Sequence, residues 1–414
     1  MKSLPPVAVT GLGMITPAGD GAGATWAAMC DGRPTAATDP ELSGLPVDFS
    51  CRLPEKTDLS RGLLPRSSWR MSPVAKAAVS ASYDAIADAG LNTASWDPAR
   101  VAVVIGCGVG YLTQWHTQSL RLAHNGASSV SPLTMPTALA NMPAGEIALA
   151  LGIQGPSLVT ATACASGASA LMTARGLLAS GQCDIVLAGG AEMAINPLSV
   201  AAFHRMGALS TRRHDVAGAS RPFAPERDGF VMAEGAAVLI LERAGDAVAR
   251  GRRPRALLAG CAASTDAYHP TSPHPQGEGT EVALRQALAD AELSPVDIDH
   301  VNAHATSTPS GDTAEATMIN RVLPHHPSVT APKGVLGHTL GAAGAIEAAL
   351  TVLTIEYQLV PPTANLNGAV GEGAHLDHVV GTPRPQRISA AVSNSFGFGG
   401  HNVVLAFTSA ASSG

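Results

Sequence analysis

Lysine is almost missing from this chain of 414 residues: only Lys2, Lys56, Lys76 and Lys333 occur, and arginine supplies the rest of the Lys/Arg charge. With abundant alanine this points to GC-rich coding, and it makes a lysine close to a histidine motif informative. Charge of either sign is scarce as well, at 14% against 46% hydrophobic residues, which is a composition for burying surface, not for disorder. The formal net charge of -6 excludes the broadly basic face that nucleic acid needs, though not a local basic patch for an acidic protein. No CxxC pair occurs. Cys30, Cys51, Cys107, Cys164, Cys183 and Cys261 are scattered and none stands at metal-ligand spacing with a histidine, so neither a metal site nor a disulfide framework is expected. The opening MKSLPPVAVTGLG is broken by Pro5 and Pro6 and lacks the apolar core of a signal peptide. No run of about 18 apolar residues marks a membrane span. These absences lead to the expectation of a soluble, cytoplasmic protein that contacts neither nucleic acid nor membrane.

What is present is alternation. Short apolar runs such as Val101–Ile105, Ile185–Leu187, Ala237–Leu241 and Val403–Phe407 alternate with Ala-rich helical stretches. Strands that short and apolar are buried on both faces, as in a sheet covered by helices. One helix is punctuated by Ser72 as cap, Pro73 at its first position and Gly90 past its end, with Val74, Ala77, Ala78, Ala81, Ala85 and Ile86 on one face. Two other helices, ASGASALMTARGLLASG after Cys164 and TLGAAGAIEAALTVLTIEY after His338, are small-surfaced nearly all round and suit an enclosed position. Each follows a Val-Thr segment, which suggests two halves of similar plan. The charged stretch Arg250–Arg255 is the best boundary, giving residues 1–250 and 251–414.

Four segments carry chemistry. Cys164 closes Thr160-Ala-Thr-Ala-Cys and leads into a helix, whose N-terminal dipole and free N–H groups stabilise a thiolate. Cys107, in IGCGVG, competes with it but has no helix starting so directly behind it; either thiol alone also fits a packing role. His304 lies in the polar stretch Asn302–Asp312, and His338 follows Lys333 in KGVLGH. Both sit at element ends among small residues, where a ring can face a cavity. The fourth segment is Asn394-Ser-Phe-Gly-Phe398-Gly-Gly400-His-Asn402, whose glycines let backbone N–H groups and an aromatic wall approach a ligand, or make a tight turn between strands.

In this order the segments resemble the β-ketoacyl-ACP synthase family, the synthase I/II branch of the thiolase fold. The likeness starts at Val9–Pro17 and runs through Ser210–Arg212, Ser220–Phe223, Arg227–Phe230 and Asp266–His269 to Asn394–Asn402. It implies an α/β thiolase fold, two similar halves in a five-layer αβαβα sandwich, the nucleophile in the first half and both histidines in the second. It also implies acyl transfer from an acyl carrier protein to Cys164, followed by decarboxylative condensation with a malonyl thioester promoted by His304 and His338. The backbone N–H groups of Cys164 and Phe398 are then the oxyanion hole, Phe398 the gate, and Phe203 a wall of the acyl pocket. Thr306 and Thr308 match the hydroxyls that bind the pantetheine arm, and Lys333 with Glu347 match a buried charge pair behind the second histidine. No resident cofactor is implied, since phosphopantetheine arrives on the carrier protein, and a homodimer is expected.

Two departures qualify the pattern. The family reads His-Gly-Thr where this chain has His304-Ala305-Thr306, so a methyl group intrudes where the arm passes. A basic pair is replaced by Ser128 and Ser129, leaving Arg66, Arg70 and Arg205 as candidate carrier-docking residues. Both favour a specialised ketosynthase of secondary metabolism, including a cyclising one, as the alternative. A non-catalytic chain-length-factor subunit is disfavoured because Cys164, His304 and His338 are all present. A thiolase proper lacks its second cysteine here, since none follows Cys261.

Overall fold

The computed structural model describes residues 6–410, apart from the side chains of Arg66 and Ser67. The docking candidate Arg66 and the end of the Ala/Ser tail (411–414) therefore lie outside the described residues. Among these residues ten strands build the frame. The first half supplies β1 (Val7–Thr16), β2 (Val101–Gly106), β3 (Ser157–Thr160), β4 (Ile185–Glu192) and β5 (Gly235–Arg243). The second supplies β6 (Ala256–Thr265), β7 (His300–Asn302), β8 (Ser328–Thr330), β9 (Ala390–Gly397) and β10 (His401–Thr408).

Both halves arrange their strands alike. The orders are β3-β2-β4-β5-β1 and β8-β7-β9-β10-β6, so each half reads third, second, fourth, fifth, first. In each, the second strand is parallel to its two neighbours, and the fourth, fifth and first run antiparallel. A short antiparallel contact between Val7–Val9 and Ala256–Leu258 joins them into one 12-stranded sheet, counting the two-residue strands Gly19–Asp20 and Asp377–His378. Every residue of β1 and β2 is buried, which is why these strands are continuous apolar runs instead of alternating ones.

Helices complete five layers. The first sheet is covered outside by α1 (Pro73–Ala89) and α2 (Met142–Leu151), the second by α4 (Glu278–Asp290), with α5 (Pro309–Val322) beside it. Between the sheets lie α3 (Ser166–Ala179) and α6 (Ala343–Tyr357), packed on each other. Helix α1 buries the face expected of it, and Gly90 ends it in the left-handed conformation, its N–H bonding the carbonyls of Ile86 and Ala87. The cap expected of Ser72 is not made: it occupies the N-cap position, but its buried hydroxyl has no hydrogen-bond partner. A second correction concerns apolar runs. Leu340–Tyr357 is long and apolar enough to cross a membrane by length and composition alone, yet 89% of it is buried inside the chain, as the core helix of this fold.

The pairing of α3 with α6 depends on two glycines. A Cβ added at Gly167 would lie 2.7 Å from the Ala345 nitrogen, and one at Gly344 would lie 2.7 Å from the Ala168 nitrogen. Each helix thus opens against the backbone of the other, and any side chain there forces them apart. Gly176, on α3 but away from this contact, has nothing within 4 Å of an added Cβ. Gly167→Ala should therefore destabilise the chain by roughly 1–3 kcal/mol, whereas Gly176→Ala should leave it unchanged or gain about 0.5–1 kcal/mol. Equal melting temperatures for the two variants would refute the backbone-contact reading.

Candidate active site

Cys164 lies in a one-turn 3-10 segment, Ala163–Ala165, between β3 and α3. Ala163 is held at φ 50, and Ser166 ties the turn by accepting from the Thr162 N–H (2.9 Å) while donating to the Ala163 carbonyl (2.6 Å). From the other half, the end of β9 presses on this turn. A Cβ at Gly397 would stand 2.5 Å from the Thr162 carbonyl and 3.0 Å from the Cys164 nitrogen, so only glycine lets the next residue, Phe398, bring its backbone N–H to the thiol. The helix proper begins two residues after Cys164, at Ser166. Burial pushes the Cys164 thiol up to about 12, against the opposing pull of Lys333 and the Phe398 N–H. The expected resting thiolate is thus corrected, because desolvation outweighs the Lys333 charge and the Phe398 N–H. Cys107 lies behind this site, buried beside Glu192 and outside the cavity wall.

His304 follows β7, and His338 follows the one-turn helix Lys333–Leu336 and the left-handed Gly337. The two rings meet edge to face, their centroids 5.4 Å apart at 85°. Burial first, then the Lys333 charge, holds both imidazoles well below the ordinary histidine range, so both rings are neutral. Lys333 stands behind the first histidine and not, as the resemblance implied, the second. Its ammonium meets the His304 carbonyl at 2.5 Å and Nδ1 at 3.3 Å, and it bonds Glu347 on α6. Since the ammonium can only donate, Nδ1 of His304 accepts and the ring proton sits on Nε2. Burial raises Glu347 to about 7 despite the adjacent lysine.

Two carboxylates escaped the sequence reading. Glu315, on α5, accepts from the His304 and Ala305 N–H groups at 2.9 and 2.7 Å and from Asn394 at 2.9 Å. Asp312, one turn earlier, accepts from the N–H groups of Phe223 (2.8 Å) and Ser307 (3.1 Å). Their spacing on one face of α5, directly after the histidine stretch, was the signal available. Between these clamps the backbone is strained: Ala305 is at φ 22 and Ser307 at φ 71. Ala305 thus holds a conformation that favours glycine, with its methyl group buried at the cavity wall.

Cys164, His304 and His338 share a cavity of about 360 Å³ with Phe203, Phe398, Thr306 and Thr308. Phe203 packs on Phe230 (centroids 5.4 Å) and on Phe398 (6.3 Å), and Phe230 packs on His338 (5.2 Å). The hydroxyls of Thr306 and Thr308 are 2.9 Å apart, just before α5. Of the docking candidates, Arg205 is exposed beside the cavity-lining Met206, and Arg70 is tied to Glu146 at 3.3 Å. Ser128 and Ser129 lie on an exposed turn. Among the described residues no cluster of histidine, cysteine and carboxylates could hold a metal ion.

Two matching halves with a cysteine turn and paired neutral histidines at their junction define a thiolase-fold enzyme. Residues 5–247 match the "Beta-ketoacyl synthase, N-terminal domain" and 255–367 the corresponding C-terminal domain, and the chain belongs to the β-ketoacyl synthase family. It is 41% identical over 407 residues to the 3-oxoacyl-[acyl-carrier-protein] synthase 2 of Synechocystis sp., covering 97% of each chain. A β-ketoacyl synthase from Burkholderia phymatum has the same fold, with a TM-score of 0.90, 32% identity and coverage of 99% of this chain and 100% of that one. So does a type II polyketide ketosynthase solved with its acyl carrier protein, at TM-score 0.90 and 29% identity, covering 98% and 100%.

A thiol held near 12 titrates late. Alkylation of Cys164 by iodoacetamide, followed by peptide mass, should accelerate about tenfold per pH unit from roughly pH 7 to pH 10. A plateau below about pH 9 would restore the resting thiolate.

Proposed function

We propose that the chain receives an acyl group from the phosphopantetheine arm of an acyl carrier protein on Cys164 and extends it by decarboxylative condensation with a malonyl thioester. The carrying observation is that the thiol and two neutral imidazoles face one cavity between the halves. In loading, Sγ attacks the thioester carbonyl, the bond from carbonyl carbon to the arm's sulfur breaks, and the thiol proton leaves on the freed arm. The N–H groups of Cys164 and Phe398 hold the intermediate oxyanion. In condensation, His304 donates its Nε2 proton towards the malonyl thioester oxygen, His338 assists, and carbon dioxide departs. The resulting carbanion attacks the acyl-Cys164 carbonyl and expels the cysteine sulfur, leaving the lengthened chain on the carrier. Thr306 and Thr308 hold the arm, Phe203 bounds the acyl chain and Phe398 gates its entry. Lys333, neutralised by Glu347, fixes the His304 tautomer. The carrier docks at the mouth, where Arg205 is exposed. Beyond this arm no cofactor takes part.

The chain works as a homodimer in the cytoplasm. In support, β3 ends its sheet with Ser157 and Leu158 exposed, and the large apolar side chains of Met135 and Leu139 are also exposed. A bare edge with apolar flanks is covered by a second copy in a closed twofold pair. The second reading, a ketosynthase specialised for secondary metabolism, is favoured by the left-handed Ala305, a residue that narrows the cavity at a conformational cost.

Cys164→Ala should abolish acyl loading, measured by the mass of the intact chain, while replacing the other cysteines should not. His304→Ala or His338→Ala should slow malonyl decarboxylation roughly 100- to 1000-fold and spare loading more. Wild-type decarboxylation in both variants would remove the enolate role. In sedimentation at micromolar concentration the protein should run as a dimer, and a monodisperse monomer would contradict the pairing.

A further inference from the structure

Because the halves share strand order and direction, the parts of the catalytic site that follow directly from the strand ends have counterparts. Thr160 pairs with Gly106 as Thr330 pairs with Asn302, and Gly106 pairs with Gly190 as Asn302 pairs with Ser393. Two residues further on, His304 therefore corresponds to Gly108, and Ser395 to Glu192. Ala163 and Leu340 share left-handed angles, φ 50 and φ 47, each opening a 3-10 turn before a central helix. That sets Cys164 against Gly341.

A carboxylate fills this twin site. Glu192, fully buried, accepts from the N–H groups of Gly108 (2.9 Å), Val109 (3.1 Å) and Gly341 (3.0 Å). Among the described residues no basic side chain pairs with it. Added Cβ atoms at Gly108, Gly110 and Gly341 would stand 2.8, 2.5 and 2.7 Å from its oxygens, so three glycines from both halves make room for one carboxylate. The Gly341 N–H is the counterpart of the Cys164 N–H, while Gly108 and Val109 correspond to His304 and Ala305, whose N–H groups bind Glu315 in the other half. The residues beside these donors matter: Val109 and Leu340 line the catalytic cavity along with Cys164.

We propose that Glu192 is a positioning residue for acyl loading: its carboxylate plugs the degenerate twin of the catalytic pocket and holds the walls Val109 and Leu340 in register beside Cys164. The proposal rests on Cys164 being the acylated residue. Only an acceptor-rich group satisfies converging backbone donors, and a neutral amide must turn its own N–H groups towards at least one of them.

Glu192→Gln keeps the volume and breaks the match. Loading of Cys164 from a medium-chain acyl carrier protein, read by intact mass, should slow about tenfold, while malonyl decarboxylation, which needs the histidines but no acyl pocket, stays within about twofold. Glu192→Asp retains the charge on a shorter arm and should load faster than the Gln variant, and should show the same split if the Gln variant does not fold. Wild-type loading in Glu192→Gln would overturn the proposal. So would parallel loss of both reactions with a lower melting temperature, which is the signature of general structural damage. Acylation of the wild-type chain at a residue other than Cys164 would overturn the nucleophile assignment and this proposal together.

Discussion

The two halves touch backbone to backbone where α3 and α6 begin, and the rest of the site inherits its geometry from that contact. Gly167 and Gly344 bring the helices close enough for the turn holding Cys164 to lie against elements of the second half. Gly397 repeats the device at the end of β9 and delivers the Phe398 N–H to the thiol. Interiors are packed without slack, so a methyl group at such a point moves whole elements instead of being absorbed. The small-residue helices visible in the sequence are thus the means by which residues from opposite ends of the chain come to share one cavity.

Desolvation then decides the protonation states. Cys164, His304, His338, Lys333 and Glu347 are all buried, and burial penalises whichever form is charged. The thiol stays protonated and both imidazoles stay neutral, which suits the hydrogen-bond donor role proposed for the two rings. The Lys333–Glu347 pair adds little net charge to the cavity but fixes one proton in place, on Nε2 of His304. A free lysine there would pull the thiol down and favour its ionisation. The glutamate limits that, and the site is poised for acyl transfer without standing as a reactive anion.

Much of this was legible beforehand. Apolar runs marked strands such as β2 and β10, and Pro73 with Gly90 bounded α1. The repeat of a Val-Thr segment before a small-residue helix pointed to two halves, whose shared strand order the structure supplies. Single-residue chemistry was read less well, because it depends on contacts remote in sequence. Ser72 sits at a cap position without capping, the thiolate expected of a helix start yields to burial, and Lys333 reaches His304 instead of its sequence neighbour His338. Glu192 was invisible for the same reason, since its hydrogen bonds come from backbone N–H groups that carry no side-chain signature, and Glu315 was marked only by its spacing from Asp312. Ala305 was noticed as a departure, but only the backbone shows that it occupies a left-handed position.

The chemistry sits where the repeat is broken. Two residues lie between Thr160 at the end of β3 and the left-handed Ala163, whereas nine lie between Thr330 at the end of β8 and the left-handed Leu340. The extra chain in the second half forms the one-turn helix with Lys333 and the extended step with His338, whose backbone bonds Val231 and Ala233 of the first half. A perfectly symmetric duplication would have produced two identical turns, each with N–H donors and no base or lysine beside them. Adding chain to one copy supplies the imidazole and ammonium, and Glu192 closes the donor set of the other. One pocket can then open to substrate while its twin stays packed, so the internal symmetry of the fold does not divide the substrate between two sites.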